Sequence, residues 1–250
     1  MKHSPSPLRW GLATLVVVIV AVAVSLATAG PSSKEVVLRA VDGVGIAATY
    51  YPPKSPGQKP SVILLHMLNR TRSDWADFAL ALAQTGYAVL AIDLRGHGES
   101  TREVGSWQEF TPADFRAMVR DVEAAHEYLR DTPRADGGRI AVIGASIGAN
   151  VALLYGGRDS SVKTLVLLSP GLDYRGVSTA EAMKTYGGRP VLIAASREDA
   201  YSAQSSSTLD SLARGRHRLI LYNGAGHGTR MFRKVPELKT TLLEWLGSTL

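Results

Sequence analysis

Eight runs rich in Val, Ile and Leu alternate along the chain with segments whose apolar residues recur every three or four positions. The last six runs are almost continuously apolar, which is typical of strands buried on both faces of a parallel sheet. The predicted strands are Glu35–Ala40, Gly45–Tyr51, Val62–His66, Ala88–Ile92, Ile140–Gly144, Thr164–Leu168, Val191–Ala195 and Arg218–Tyr222. The predicted helices are Trp75–Gln84, Thr111–Arg130, Ile147–Tyr155, Thr208–Arg214 and Pro236–Leu246. The alternation predicts an α/β fold, with helices covering both faces of a mostly parallel eight-stranded sheet.

Two details refine this prediction. The first two strands have no helix between them, so we expect them to form an antiparallel hairpin at one edge of the sheet. The longest helix begins with a capping signal, because Thr111 can cap it, Pro112 suits its first turn and Asp114 can reach back to the cap. The apolar positions that follow form one stripe, which predicts a single helix over Thr111–Arg130.

The first 29 residues are typical of a targeting segment. Two basic residues, Lys2 and Arg9, precede the apolar run Leu15–Val24. A run of this length matches the core of a signal peptide and is shorter than the ~20 residues needed to span a bilayer. Small residues at Ala27-Thr28-Ala29 then predict cleavage before Gly30.

The alternative is an uncleaved anchor, in which the apolar stretch 11–29 would associate with a membrane. Both interpretations place residues 30–250 outside the cytoplasm, in the periplasm or secreted. We expect those residues to form one domain, since the only turn-rich connector among them, Pro52–Gly57, is too short to be a domain linker.

Charge and composition narrow the function. The net charge is +6, but the basic residues are scattered singly, so we expect a solvated surface and no nucleic-acid partner. The chain has 0 Cys, which excludes disulfides, zinc–thiolate sites, iron–sulfur clusters and a thiol nucleophile. Phosphate-binding glycine patterns are also missing from the sequence, and we expect neither a cofactor nor a metal.

One motif joins a predicted strand to a predicted helix. Gly144-Ala145-Ser146-Ile147-Gly148 matches G-x-S-x-G, and in open α/β sheets functional residues gather in the loops that leave the carboxyl ends of strands. Such a strand–turn–helix bends sharply. Glycines two positions before and after the serine relieve the crowding and raise its hydroxyl above the sheet. Ser146 is therefore the candidate nucleophile, and a plain tight turn is the alternative.

A serine hydroxyl needs a base to remove its proton, and histidine is the usual one. His227 lies in the glycine-rich loop Gly224–Gly228, after the last predicted strand, where an imidazole could swing over the sheet. The remaining histidines lie in the targeting segment, at strand ends, in the long helix or among charged residues: His3, His66, His97, His126 and His217. His227 is the candidate base.

A third residue must orient the imidazole and stabilise its charge. Asp199 follows the predicted strand Val191–Ala195 and is the preferred candidate. Asp173, after the preceding strand, and Glu198, beside Asp199, remain alternatives. The order Ser146…Asp199…His227 is the Ser…Asp…His order that one fold uses among the convergent triads.

Four motifs together make the chain resemble the α/β-hydrolase superfamily, and within it the small lidless serine esterases and dienelactone-hydrolase-like proteins. Leu64–Arg70 is similar to the family's His-Gly oxyanion loop, and Asp93–Ser100 is similar to its D-x-R-G-H-G-x-S turn, in which the Asp and His brace loops. Gly144–Gly148 resembles its nucleophile elbow, and Gly226-His227-Gly228 its histidine loop. The resemblance extends from Val36 to Leu246.

The resemblance implies that the backbone N–H groups of Leu68 and Ile147 form the oxyanion hole, which stabilises the transition state. Met67 stands where the family has Gly, and since Met restricts the backbone more, its own N–H is the alternative donor. About 21 residues separate Leu168 from Pro190, where members with a cap domain insert many more. The resemblance therefore implies an open site without a large cap.

The expected reaction is hydrolysis of a small-molecule carboxylic ester through a covalent acyl-enzyme. An acyltransferase and a cofactor-free haloperoxidase-like enzyme are alternatives on the same triad, and an inactive binding module is a third. Seven arginines fall in loops expected near the site: Arg70, Arg72, Arg95, Arg102, Arg175, Arg197 and Arg230. An acidic substrate or an anionic membrane would explain them, but solvated loops in an Arg-rich chain are the preferred interpretation.

Overall fold

The computed structural model describes residues 33–250 together with Met1, so the predicted targeting segment lies outside the described residues except for Met1. Eight strands form one sheet in the order β1-β2-β4-β3-β5-β6-β9-β10. Their bounds are β1 Lys34–Arg39, β2 Gly45–Tyr51, β3 Lys59–Leu65, β4 Ala88–Ile92, β5 Ala135–Ala145, β6 Val162–Leu168, β9 Val191–Ser196 and β10 His217–Tyr222. Two short strands, β7 Asp173–Tyr174 and β8 Val177–Ser178, form a separate antiparallel hairpin.

The helices occupy the connections between the strands. They are α1 Ala76–Gln84, α2 Pro112–Ala117, α3 Val119–Asp131, α4 Ile147–Arg158, α5 Ala180–Tyr186, α6 Ala200–Leu212, α7 Met231–Lys234 and α8 Glu237–Thr249. Neighbouring strands of the sheet run parallel except where β2 pairs with β1 and with β4. The predicted mostly parallel sheet with an antiparallel hairpin at one edge is thus confirmed.

Alternate residues of the central strands face two separate apolar cores. In β3, Ile63 and Leu65 pack on one side and Val62 and Leu64 on the other, and all four are fully buried. The first side is covered by helices α3 to α6, and the second by α1 and α8. A strand enclosed on both faces has no polar face to present, which is why its sequence is an uninterrupted apolar run.

The predicted helix Thr111–Arg130 is wrong as a single element, because the chain breaks into α2 and α3 at Met118. Its N–H bonds the carbonyl of Phe115, and Asp121 N–H bonds the carbonyl of Met118, so the turn tightens to three-residue spacing there. The predicted cap is present, since the Thr111 hydroxyl accepts from Asp114 N–H while the Asp114 carboxylate accepts from Thr111 N–H.

Two further expectations at the far side of the sheet need correction. β10 was expected to be buried on both faces, but it is an edge strand with only β9 beside it, and His217 and Arg218 are exposed. Helix α6 begins at Ala200, not at Thr208. Its first turns bury Ser202, Ser205 and Ser206, so they carry no apolar stripe that the sequence could display.

The segment between β6 and β9 holds only the β7–β8 hairpin and α5, which the sequence did not predict, and no large cap is present within the described residues. The buried amide of Asn150, on α4, holds this segment in place. Its nitrogen donates to the carbonyl of Val177, and its oxygen accepts from Gly171 N–H. Among residues 33–250, no helix combines the length and apolarity that crossing a membrane requires.

Candidate active site

Ser146 stands at the sharp turn between β5 and α4, with backbone angles φ 54° and ψ −120°. Residues other than glycine rarely adopt a positive φ, so packing must hold Ser146 in this conformation. A Cβ on Gly144 would lie 2.1 Å from the carbonyl oxygen of Gly148, and one on Gly148 would lie 2.5 Å from that of His66. Both glycines are therefore required by close backbone contacts, as the motif predicts.

His227 and Asp199 meet at the carboxyl edge of the sheet, in the loops after β10 and β9. Nδ1 of His227 lies 2.5 Å from Oδ2 of Asp199. A carboxylate can only accept, so in the neutral imidazole the proton lies on Nδ1 and Nε2 keeps its lone pair. The two side chains are 32% and 22% exposed, which leaves the imidazole accessible to a substrate.

The other two candidate acids are occupied by local turns. The Asp173 carboxylate accepts from Gly176 N–H at 2.8 Å and from the Ser178 hydroxyl at 2.5 Å. The Glu198 carboxylate accepts from the Ser196 hydroxyl and from Gly224 N–H, both at 2.7 Å. These hydrogen bonds, that from Ser196 above all, lower the pKa of Glu198. Within the described chain, Asp199 is the only carboxylate that contacts His227.

Ser146 and His227 share one cavity of about 390 Å³. Its remaining wall is formed by the side chains and backbone of Met67, Leu68, Ile147, Tyr174, Arg175 and Arg230. The structure thus brings together the predicted serine, histidine and both predicted oxyanion donors, with Asp199 behind the histidine.

Leu68 and Ile147, the residues of the predicted oxyanion donors, both line this cavity. Within residues 33–250, neither the Leu68 nor the Ile147 backbone N–H donates a hydrogen bond to another residue. Ile147 is the first residue of α4, where helical N–H groups have no intrahelical acceptor and the helix dipole favours negative charge. A developing oxyanion would therefore be stabilised both by free N–H donors and by the positive end of the helix dipole.

Met67, in place of the family's glycine, has a packing reason. Its φ is not positive; the residue of this loop with positive φ is Asn69, at 56°. The Met67 side chain is buried beneath the histidine loop, and a Cβ on Gly228 would lie 2.7 Å from its sulfur. Met67 therefore fills space under His227 without straining the backbone.

His66 and Asp93 brace the loops on the other side of the cavity. Leu94 N–H donates to His66 Nε2 at 3.0 Å, so the His66 proton lies on Nδ1, which donates to the carbonyl of Met67 at 2.9 Å. Burial lowers the pKa of His66 to about 4. The Asp93 carboxylate accepts from the backbone N–H groups of Arg72 and Glu99 and pairs with the Arg72 guanidinium.

The remaining histidines have structural contacts. His97 stacks on Trp107 with ring centres 5.6 Å apart, and His126 bonds the Tyr155 hydroxyl at 2.6 Å. His217 bonds the carbonyl of Gly215 at 2.7 Å on the exposed edge strand. Within the described residues, no cluster of three or more His, Asp or Glu side chains could hold a metal.

Tyr174 is a cavity residue that the sequence did not indicate. Its hydroxyl lies 2.9 Å from the Ser202 hydroxyl, and its ring packs edge-on against the His227 ring at 6.3 Å. Burial raises the pKa of Tyr174, so its hydroxyl remains protonated at neutral pH. Its position depends on the β7–β8 hairpin, for which the apolar pattern gave no signal.

Five of the seven arginines expected near the site divide into two groups, and within residues 33–250 the other two, Arg102 and Arg197, neither form an ion pair nor line this cavity. Arg70, Arg72 and Arg95 are committed to ion pairs with acidic residues, and Arg95 pairs both with Asp42 and with the buried Asp121 of α3. Arg175 and Arg230 instead line the cavity that contains Ser146.

The order of Ser146, Asp199 and His227 along the chain is the one that the α/β-hydrolases use, and comparison with known proteins identifies the family of the fold. Residues 56–188 match the profile of the serine aminopeptidase S33 family, Hydrolase_4. The chain belongs to this family, and it is an α/β-hydrolase.

Individual relatives share only a limited part of their sequence with this chain. An uncharacterized protein of Mycobacterium tuberculosis is 32% identical over 123 residues, which are 49% of this chain and 41% of that protein. This chain therefore matches less than half the length of that relative. The putative protein-lysine deacylase ABHD14B of Rattus norvegicus is 28% identical over 198 residues, 74% of this chain and 82% of its own length.

Solved structures show the same fold. Dienelactone hydrolase from Anabaena variabilis superposes with a TM-score of 0.74 at 19% identity, over 89% of this chain and 100% of that one. The resemblance to dienelactone-hydrolase-like proteins is thus confirmed at the level of architecture.

Proposed function

We propose that this protein is a serine esterase that hydrolyses carboxylic esters of small molecules. The observation that carries the proposal is the hydrogen bond between His227 Nδ1 and Asp199, with the unprotonated Nε2 in the same cavity as Ser146. A histidine held in this tautomer is the base that a serine nucleophile requires.

The reaction follows from these positions. His227 Nε2 takes the proton of Ser146 as the hydroxyl oxygen attacks the ester carbonyl, and the carbonyl oxygen becomes an oxyanion. The Leu68 and Ile147 N–H groups donate to it, a contribution of about 3 kcal/mol per donor in similar sites. The imidazolium, stabilised by Asp199, then protonates the departing alcohol. Water repeats the sequence on the acyl-enzyme, releasing the acid and restoring Ser146.

The cavity and the relatives support an acyl substrate of modest size. About 390 Å³ lined by Met67, Leu68 and Ile147 would accept a short apolar group. The names of the two similar proteins, a dienelactone hydrolase and a putative protein-lysine deacylase, both describe cleavage next to a carbonyl carbon.

The test is covalent labelling. A fluorophosphonate probe should label the wild-type protein, and mass spectrometry should place the adduct on Ser146. A panel of 4-nitrophenyl esters of graded chain length should be hydrolysed by the wild type and not by Ser146→Ala. Labelling of a different serine, or equal hydrolysis by Ser146→Ala, would contradict the proposal, and transfer of the acyl group to an added alcohol in preference to water would indicate an acyltransferase.

We also propose export of the domain by the N-terminal segment. N-terminal sequencing of the exported protein should begin at Gly30. Intact Met1 in a membrane pellet would instead select the anchor formed by residues 11–29.

A further inference from the structure

Two arginines without acidic partners lie on the wall of the nucleophile's cavity. Arg175 and Arg230 are exposed, and within residues 33–250 neither forms an ion pair. The cavity between them contains Ser146 and is otherwise mostly apolar. An arginine beside a reaction centre, with its donors free, can bind an anion through charge-assisted hydrogen bonds.

Arg175 is held there at a cost. It is the first residue of the two-residue turn between β7 and β8, with φ 56°, and Gly176 follows with φ 83°. Turns with two positive φ angles favour Asn, Asp or Gly at the first position, so a longer side chain there is strained. The Asp173 carboxylate braces the turn through Gly176 N–H and the Ser178 hydroxyl. The Arg175 guanidinium lies over the Phe115 ring, 6.0 Å from its centre, and within residues 33–250 its N–H groups donate to no other residue, so they are available to a ligand.

Arg230 links the nucleophile's cavity to a second and larger one. Its backbone N–H donates to the carbonyl of His227 at 3.2 Å, which fixes it to the histidine loop. Arg230 also lines a neighbouring cavity of about 650 Å³, together with four more basic residues, Arg70, Arg233, Lys234 and Lys239. Basic residues therefore extend from the cavity of Ser146 into the larger cavity beside it.

Two of the acids near these arginines already have partners. Asp199 is bonded to His227, and Asp74, on the wall of the larger cavity, pairs with Arg70 at 2.5 Å. Asp77 also lines that cavity, opposite its basic residues. Basic side chains remain in excess, so an anion entering from this side meets a favourable potential.

We propose that the substrate ester carries an anionic group, a carboxylate or a phosphate, a few bonds from the scissile carbonyl, and that Arg175 and Arg230 bind it. This proposal rests on the proposed function, because it places the scissile carbonyl at Ser146. It reverses the preferred sequence-based interpretation for two of the seven arginines, since the structure separates them from those committed to ion pairs.

The first experiment compares a matched pair of substrates, the anionic mono-4-nitrophenyl adipate and its neutral methyl ester. In the wild type, kcat/KM should be about tenfold higher for the anion, the effect expected of partly exposed charge-assisted contacts. The ratio should approach one in the double variant Arg175→Gln/Arg230→Gln and with rising salt. Arg158→Gln, at the opposite end of α4 from Ser146, is the matched control and should keep the ratio. A wild-type ratio near one, or an unchanged ratio in the double variant, overturns the proposal.

The second experiment does not depend on turnover. Calorimetry on Ser146→Ala should show tighter binding of anionic N-methyladipamate than of neutral N,N′-dimethyladipamide, and equal binding overturns the proposal. Competition by pentanoate and by butyl phosphate separates the two sources, since the tighter competitor names the group that the arginines accept. Anion binding without any ester hydrolysis would defeat the proposed function alone, and hydrolysis without anion preference would defeat only this inference.

Discussion

Two pairs of an aspartate and a histidine lie at the carboxyl edge of the same sheet, and they differ in what surrounds them. Asp93 and His66, after β4 and β3, are fully buried, and backbone groups occupy both ring nitrogens and the carboxylate. Asp199 and His227, after β9 and β10, are partly exposed. Within the described chain, His227 has a partner only on Nδ1.

The two histidines differ in whether one of their ring nitrogens is free of hydrogen bonds. His66 has no lone pair to offer a substrate, and burial holds it neutral through a pKa of about 4. His227 keeps one nitrogen free and faces the cavity of Ser146. The same two residue types thus brace a loop in one place and, in our proposal, move a proton in the other, so their contacts distinguish the roles and their identities do not.

The largest expected effect tests the second pair. Asp199→Asn should fold normally and lose about 10⁴-fold in kcat, because the amide would favour the wrong imidazole tautomer. Ester hydrolysis measured beside circular dichroism checks this. Activity within tenfold of the wild type would mean that His227 does not depend on Asp199.

The matching change in the first pair should act on stability. Asp93→Asn removes the buried partner of the Arg72 guanidinium, and we expect the free energy of unfolding to fall by about 3 kcal/mol in urea titrations. The folded fraction should lose far less activity than Asp199→Asn. A variant as stable as the wild type would show that Glu35 and Glu99 suffice to hold Arg72.

Acid sharpens the comparison further. The folded pKa of His66 is lowered from 6.5 to about 4, so the unfolded chain takes up its proton first as the pH falls. His66 therefore contributes a loss of stability below pH ~6.5, about 2 kcal/mol between pH 7 and 5. His66→Gln, whose amide can bond both Met67 and Leu94, should lack this contribution.

Asp121 also titrates in this range, and its effect on the pH dependence of stability is opposite to that of His66. Burial raises the pKa of Asp121 to about 6, so its contribution declines as the pH rises through that value. Asp121 is present in both proteins and cancels in the difference between them. Identical pH dependence in the wild type and His66→Gln would contradict the assignment to His66.

The smallest effect concerns Asp173, the alternative candidate acid on the β7–β8 hairpin, whose carboxylate contacts no histidine. Asp173→Asn should lose about 1 kcal/mol of stability, because it weakens the hydrogen bonds that brace the β7–β8 turn. Thermal unfolding measures this loss. A collapse of activity comparable to that of Asp199→Asn would return Asp173 to candidacy as the acid.

The interior strands were predictable because the burial of each strand is visible in its own sequence. β2 and β4 begin and end at the predicted residues, and every residue of both strands is buried. β10 has a similar composition but lies at the edge, and strand order is a property of the whole sheet. The β7–β8 hairpin depends on the buried amide of Asn150, a contact that no local pattern reveals.

The candidate site divides in the same way. Ser146 and His227 stand in glycine-rich motifs whose geometry leaves a trace in the sequence. The sequence already favoured Asp199, but setting aside Asp173 and Glu198 needed the hydrogen bonds, because all three follow strands at the same edge. Tyr174 reaches the cavity from the β7–β8 hairpin, which its neighbours in sequence do not specify, whereas Arg230 was among the arginines expected near the site.

The tight contact of Gly148 with the carbonyls of Leu65 and His66 also has a kinetic consequence. The turn around Ser146 reaches its final packing only with β3 beside β5, although the whole segment from α1 to α3 separates these strands in the chain. Long-range parallel pairing is slow to form, since loop closure must precede it. A refolding chain should therefore regain its helices first and its reactive serine last, which makes covalent labelling of Ser146 a clock for the final step of folding.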